Sequence, residues 1–541
     1  MPVVLAVRVI IGWVMAITLP FSGHAQTNSP PEKTENSALT SALFYEILVG
    51  ELSLTQDDPG TAFTLILDAA RKTENVQLYS RAVDIALKAR SGDGALAAAR
   101  AWAKAYPQDR KANNNVLQIL LAVNQTGETL EPLKKEIALA PEIEHPAIIN
   151  QIPRLYARVS DKKQAADVVQ QALSPYLRQK PTAAAAWTTL GRMRLANQET
   201  TAALEAVRQG LAADPQSALP VLLALELTSL KVNEAEPYVV QAIREQDKPE
   251  LTMAYVRVLI ENQRLEQANE QLLILTHDHP QFPEAWLVLG SLQLEMGQDD
   301  SAEDSLARYV ELALQSDADA NARNILQAQS RRAAILARHG KLDQARALVA
   351  QTPAHNAEEE RSRLLAEVQL LRDMRQWQTA YDLLAQTSNA DNDLLYEQAM
   401  LAEKLGQHST MERLLNQIVA QDSTYYSAYN ALGFSLADRN QRLAEAKQLI
   451  VKALSFAPDD PFIIDSMGWV EFRLGNLTEA LSLLQKAYAG RADPEIAAHL
   501  GEVLWRLNRQ EDAQQIWREG QQAAPDNEIL RDTLQRLHPA L

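Results

Sequence analysis

Three glycines near the end of the chain, Gly433, Gly468 and Gly501, stand 35 and 33 residues apart in matching settings. Ala428-Tyr429-Asn430-Ala431-Leu432-Gly433 leads to Ala446, Ala453 and Pro458. Ile464-Asp465-Ser466-Met467-Gly468-Trp469 leads to Gly475, Ala480, Leu484 and Ala487. Ala497-Ala498-His499-Leu500-Gly501 leads to Ala513, Trp517, Gly520 and Pro525. Small residues recurring every ~34 positions describe a pair of antiparallel helices repeated along the chain. The glycine on the first helix (helix A) and the alanine on the second (helix B) are small because the helices cross most closely there. Proline ends helix B, since it lacks an N–H and clashes with the preceding turn. One hairpin cannot bury its apolar face alone, so neighbours stack into a continuous core.

This pattern resembles the tetratricopeptide repeat. The resemblance implies an all-α solenoid, a right-handed superhelix of stacked antiparallel hairpins. It also overrides the domain count that 541 residues would otherwise suggest.

Weaker copies run back through the chain. Gly50 and Ala62 fit one unit, and Ala95, Ala99 and Pro107 the next. Asp109 to Pro146 is irregular: Pro132, Pro141 and Pro146 should cut its helices short and distort the hairpin. Ala165 and Ala172 restore the pattern, and Trp187, Leu190, Gly191, Ala203, Gly210 and Pro215 make a full repeat. Ala218 to Pro249 is degenerate; Ala268 and Pro280 fit again, then Trp286, Leu289, Gly290, Gly297 and Ala302. Ser316 to Asn324 inserts small and acidic residues. Gly340 with Ala345, Ala380, and Ala399 with Gly406 continue the array. About 14 hairpins result at this spacing, enough for more than one superhelical turn. Residues 42–320 are read as amino-terminal and middle hairpins, partly degenerate, and 321–525 as a carboxyl-terminal array. Residues 526–541 hold a capping helix with Leu530, Leu534 and Leu537 over the last open face.

Residues 1–25 read as a signal peptide: Arg8, an apolar run from Val9 to Leu19, then Pro20 and Gly23-His24-Ala25 before Gln26. The run is short for a membrane span, which needs about 20 apolar residues. Residues 26–41, with Ser29-Pro30-Pro31-Glu32-Lys33, read as a flexible linker. A secreted, periplasmic chain is the expectation. Net charge is −17, with 52 basic against 69 acidic side chains. No basic excess exists to displace counterions, so nucleic acid is not the expected partner. There is no cysteine, hence no disulfide, no thiolate nucleophile and no lipid anchor through Cys.

Trp187, Trp286, Tyr429 and Trp517 occupy packing positions. In tetratricopeptide repeats helix A lines the concave groove. Its groove positions here are Asn430 and Phe434, then Phe462, Asp465, Trp469, Phe472 and Arg473, then Glu502, Trp505 and Arg506. Grouped aromatics and arginines carry binding energy, and an Asn amide can hold a peptide backbone. Phe472 and Trp505 read instead as packing between helices. Asn430, Phe434, Phe462, Asp465, Trp469, Arg473, Glu502 and Arg506 remain as the protein-binding candidates.

His277-Asp278-His279 reads as a solvated loop tip beside Pro280, with no third metal ligand placed. Asp317-Ala318-Asp319-Ala320-Asn321 begins like a calcium loop, but Ala322 stands where Gly is needed and Ala328 where the bidentate Glu belongs. Glu358-Glu359-Glu360 should open a helix at its positive dipole end. No P-loop, nucleophile elbow, H-E-x-x-H or dinucleotide fingerprint occurs. No enzyme activity, cofactor or metal is expected.

The carboxyl end is also similar to long envelope tetratricopeptide proteins of Proteobacteria. The similarity rests on Asn430-Ala431-Leu432-Gly433, Leu436-Ala437-Asp438-Arg439, Asp465 to Trp469 and Pro494 to Trp505. Ile47 to Ala105 looks like that family's beginning. The best understood type is the LbcA type, the lipoprotein partner of a carboxyl-terminal processing protease. The resemblance implies an adaptor that holds the protease and brings it peptidoglycan hydrolases. Its members use a lipidated Cys, which this chain lacks. The alternative is a scaffold for envelope assembly or polysaccharide export with no protease link.

Overall fold

A computed structural model describes residues 40–316, 318–388 and 390–537, with the backbone alone for 318–320. The signal-peptide reading, most of the linker, the start of the calcium-like segment and residues 538–541 lie outside the described residues. The described residues form 29 α-helices, short 3₁₀ segments and no strand. That number suits about 14 hairpins and one terminal helix. None of these helices is long and apolar enough to cross a membrane.

The helices gather into two compact units, divided between Gln293 and Leu294. The divide falls within one helix, Pro283–Glu295, ahead of the boundary read at residue 320. In each unit successive helices pack as hairpins against their chain neighbours.

The regular repeat is clearest in the second unit. Its last helix A segments are Tyr426–Asp438, Pro461–Arg473 and Pro494–Arg506; the B segments are Leu443–Phe456, Leu477–Gly490 and Gln510–Ala523. Asp460 and Asp493 cap two A helices by accepting backbone N–H groups, with Pro461 and Pro494 directly after them. The A-to-B turn needs a left-handed residue. Gly475 supplies it at φ +88°, and Asn440 and Asn508 at +55° and +62°.

The glycines are as tightly held as the sequence required, but against a different neighbour. A Cβ on Gly468 would lie 2.7 Å from Leu484 Cγ, and one on Gly433 2.6 Å from Ile450 Cγ1 and 2.8 Å from the Ala446 carbonyl. The small alanine on helix B therefore lets the backbone approach. The bulky residue one turn later covers the glycine.

The irregular stretches depart from the regular repeat, but Pro132 and Pro146 stand in the first turns of helices rather than ending them. Between Asp109 and Pro146 a 3₁₀ turn, Thr126–Thr129, precedes a B helix of only 9 residues, Leu130–Ala138. The inserted acidic segment lengthens two helices, Asp299–Ser316 with 18 residues and Ala318–Arg338 with 21. The final helix, Glu528–Leu537, buries Leu530 and Leu534 against the last repeat.

Candidate functional site

Helix Pro461–Arg473 organises the carboxyl-terminal groove candidates. Asp465, Trp469 and Arg473 stand four residues apart on one face of it. Trp469 is buried, 4% exposed. Its indole stacks on the His499 imidazole at 4.3 Å and on Phe472 at 5.0 Å. Its Nε1 donates to Asp438 Oδ1 at 3.3 Å. Phe434 lies 5.7 Å from the same imidazole.

Arg473 stands 5.3 Å from the Trp469 ring, a cation–π contact. Its Nε donates to the Ala437 carbonyl at 3.0 Å, and its Nη2 donates to the Asp438 carbonyl. These carbonyls end helix Tyr426–Asp438, and that of Ala437 also accepts the Asn440 N–H at 2.9 Å.

Beneath the rings lies a buried ion pair. His499 Nδ1 sits 2.9 Å and 3.0 Å from the two Asp465 oxygens. Burial alone would depress the imidazole pKa. The Asp465 charge and hydrogen bond outweigh it, helped by Asp438 and Glu495, and hold His499 above its ordinary value. Glu502 is also buried, and Arg536 of the final helix donates two hydrogen bonds to it, at 2.7 Å and 2.5 Å. Buried Glu471 opposes Lys447 at 2.6 Å and Asn476 at 2.7 Å. Burial works against its charge, but these partners hold its carboxyl below the ordinary value.

The structure thus brings most of the candidates together and gives several of them a different task. Asp465, Trp469 and Glu502 are closed off, at 6%, 4% and 2% exposure. They and Arg473 bind neighbouring repeats to one another rather than presenting open surface. The reason is that groove positions of adjacent A helices are neighbours, so large or charged residues there find each other first.

Phe462 stays open at 39%, with the Arg491 guanidinium 5.0 Å from its ring. Arg506 is exposed and makes no ion pair among the described residues. Asn430 is half-buried, and its Oδ1 is covered yet accepts no hydrogen bond. Phe472 stacks on Trp469, and Trp505 lies 5.6 Å from Trp517, as packing positions should.

The sequence reading missed His499, although it stands 34 residues, one repeat, from Asp465. It also missed the contact of Glu528 with Arg375 at 2.8 Å and Lys404 at 3.8 Å, which joins the final helix to hairpins far earlier in the unit.

The other candidates fall where chemistry is ordinary. His277 and Asp278 end helix Leu265–Asp278, so they are helical rather than a loop tip. His279 follows as its cap, 2.9 Å from Asp247. No metal-holding group of side chains occurs among the described residues. Glu358, Glu359 and Glu360 open helix Ala357–Asp373. Glu359 accepts the His355 N–H, and the Asn356 cap accepts the Glu359 N–H.

A model of the tetratricopeptide repeat family matches residues 154–218, 253–322 and 466–528. The chain carries tetratricopeptide repeats. The last match includes Trp469, His499 and Glu502, so the buried network is built on repeat positions. A TPR repeat-containing protein of Pseudomonas aeruginosa, PA4667, is 38% identical over 183 residues. That match covers 33% of this chain and 31% of the relative, so the chain spans about a third of the length of the curated relative it matches.

Among solved structures, the Cut9–Hcn1 hetero-tetramer of the APC/C is similar over 92% of this chain and 97% of that one, at 13% identity and TM-score 0.28. A thermophilic TPR protein of Thermus thermophilus covers 39% and 98%, at 20% identity and TM-score 0.26. MamA from Desulfovibrio magneticus RS-1 covers 30% and 95%, at 15% and 0.25. The TPR architecture of this chain rests on its own hairpins and glycine crossings.

Proposed function

We propose that this TPR chain is a periplasmic scaffold that binds other proteins through the helix A face of its last repeats. Asn430 carries the reading. Its side chain is half-buried on that face, and its amide NH₂, unlike the covered Oδ1, can donate to a partner's peptide carbonyl. Phe462 and Arg506 lie on the A helices of the two following repeats, open to a partner's side chains. The ion-paired network behind them keeps the surface rigid, which lowers the entropy lost on binding.

By its resemblance to the envelope proteins, the scaffold tethers a carboxyl-terminal processing protease and presents cell-wall hydrolases to it. Catalysis then belongs to the partner. The repeat-containing relative in Pseudomonas aeruginosa supports a bacterial setting for such repeats. The apolar run from Val9 to Leu19 supports export. The reading without a protease, a scaffold for envelope assembly or polysaccharide export, uses the same surface.

The test is an affinity pull-down from periplasmic extract, with the tagged chain and its Asn430→Ala variant, read by mass spectrometry. Recovery of the protease with wall hydrolases by the parent alone supports the adaptor. Recovery of export or outer-membrane assembly components alone refutes it and favours the second reading. Equal recovery by both proteins removes Asn430 from the site.

A further inference from the structure

The irregular hairpin of the first unit leaves an open cleft that the scaffold reading does not use. Helix Leu130–Ala138 has 9 residues, where the B helix before it, Gly92–Ala105, has 14. The 3₁₀ turn Thr126–Thr129 takes up the chain that would have been its first turn. A cleft of about 610 Å³ remains between these two helices, with helix Arg110–Ala122 as its floor.

The lining is unusual for a chain of net charge −17. Arg100 and Lys104 come from one wall and Lys134 and Lys135 from the other, against a single lining carboxylate, Glu131. Val116 gives the floor an apolar centre, and Pro132 continues it onto one wall. Arg100 pairs with Glu128 at 2.5 Å, and Lys134 with Glu131 at 2.8 Å. Both pairs are solvent-exposed and therefore weak. They can exchange their carboxylates for those of a ligand. Lys104 and Lys135 have no ion pair among the described residues.

We propose that this cleft binds an acidic, extended segment of a partner protein, with carboxylates alternating with apolar side chains. The cations on the two walls would take the carboxylates, and Val116 and Pro132 the side chains between them. The apolar floor sets this ligand apart from an inorganic polyanion or a lipid headgroup, which would leave it uncovered. The site lies in the other unit from Asn430 and stands independently of the proposed function.

Fluorescence anisotropy tests it, with the full chain and a short labelled peptide of alternating glutamate and leucine. The expected result is binding that weakens with added salt. Charge reversal at Lys104→Glu with Lys135→Glu should weaken it about tenfold or more, and Lys104→Gln with Lys135→Gln should weaken it less. The charge-matched control Lys88→Glu with Lys341→Glu should leave affinity unchanged. Circular dichroism melts confirm that each variant folds. Absence of peptide binding overturns the proposal, as does equal binding by both cleft variants. Equal binding of a glutamate–serine peptide or of polyphosphate overturns the role of the apolar floor. Binding of phosphatidylglycerol vesicles but not of peptide would make the cleft a lipid contact instead.

Discussion

Gly501→Ala should loosen the carboxyl-terminal end of the array, although alanine is the better helix former. A Cβ at this position would lie 2.0 Å from Trp517 Nε1 and 2.5 Å from its Cδ1 and Cε2. Trp517 is fully buried, and its Nε1 donates to the Ala498 carbonyl at 3.4 Å. The indole cannot give way without leaving that carbonyl or pressing on Trp505. Overpacking of this kind costs about 1–3 kcal/mol, and a lost hydrogen bond about 1 kcal/mol more. Helix propensity returns about 1 kcal/mol. The net is a loss of about 1–3 kcal/mol, confined to the end of the chain because a stacked array opens piecewise. The assay is hydrogen exchange of helices Pro494–Arg506, Gln510–Ala523 and Glu528–Leu537, beside a urea melt. Gly60→Ala is the control: it is exposed, its nearest neighbour lies at 3.6 Å, and it should be neutral or stabilising. If Gly501→Ala protects these helices as well as the parent does, the close crossing is not what requires glycine.

Trp469→Ala with Arg473→Ala should lower the melting temperature by removing a buried ring, a change that costs about 3–5 kcal/mol for the tryptophan alone. Loss of partner binding with an unchanged melt would return both residues to the open surface. Phe462→Ala with Arg506→Ala should weaken partner capture in the pull-down and leave the melt within about 0.5 kcal/mol. Asp465→Ala leaves the His499 imidazole buried without its counter-charge and should cost about 3–5 kcal/mol, read by urea denaturation near pH 6. The pH dependence has a definite sign. His499 holds its proton more tightly folded than unfolded, so its contribution is complete below its ordinary pKa of 6.5 and is lost as pH rises through the higher folded value. Asp465→Asn should flatten that part of the stability–pH curve, measured against the parent from pH 6 upward.

The hairpins were legible because their requirement is steric. A small residue must recur where two backbones nearly touch, and Gly433, Gly468 and Gly501 announce it whatever else changes. The irregular hairpin after Asp109 was legible too, since Pro132 and Pro141 restrict where helices can run. The groove was harder to read. Helix position places Asp465, Trp469 and Glu502 on one face, but it does not say whether a neighbouring repeat reaches them first. His499, Asp438 and Arg536 do reach them, through long or aromatic side chains whose direction the apolar pattern leaves free. The Arg375–Glu528 contact depends on how the helices of the unit wind, which small changes in each crossing add up to decide.

Several polar contacts between repeats span about one repeat. Asp438 meets Trp469 across 31 residues, and Asp465 meets His499 and Glu502 meets Arg536 across 34. Arg192 meets Glu226 across the same 34 in the first unit. Among the regular repeats the apolar code is nearly the same in each hairpin, so on packing grounds those hairpins are interchangeable. The polar code is not. Each repeat carries an address that only its proper successor completes. A recombination event that removed or doubled one hairpin would restore the apolar stack while placing a buried acid against the wrong neighbour. Such ordering protects an array made of similar parts from being silently rearranged.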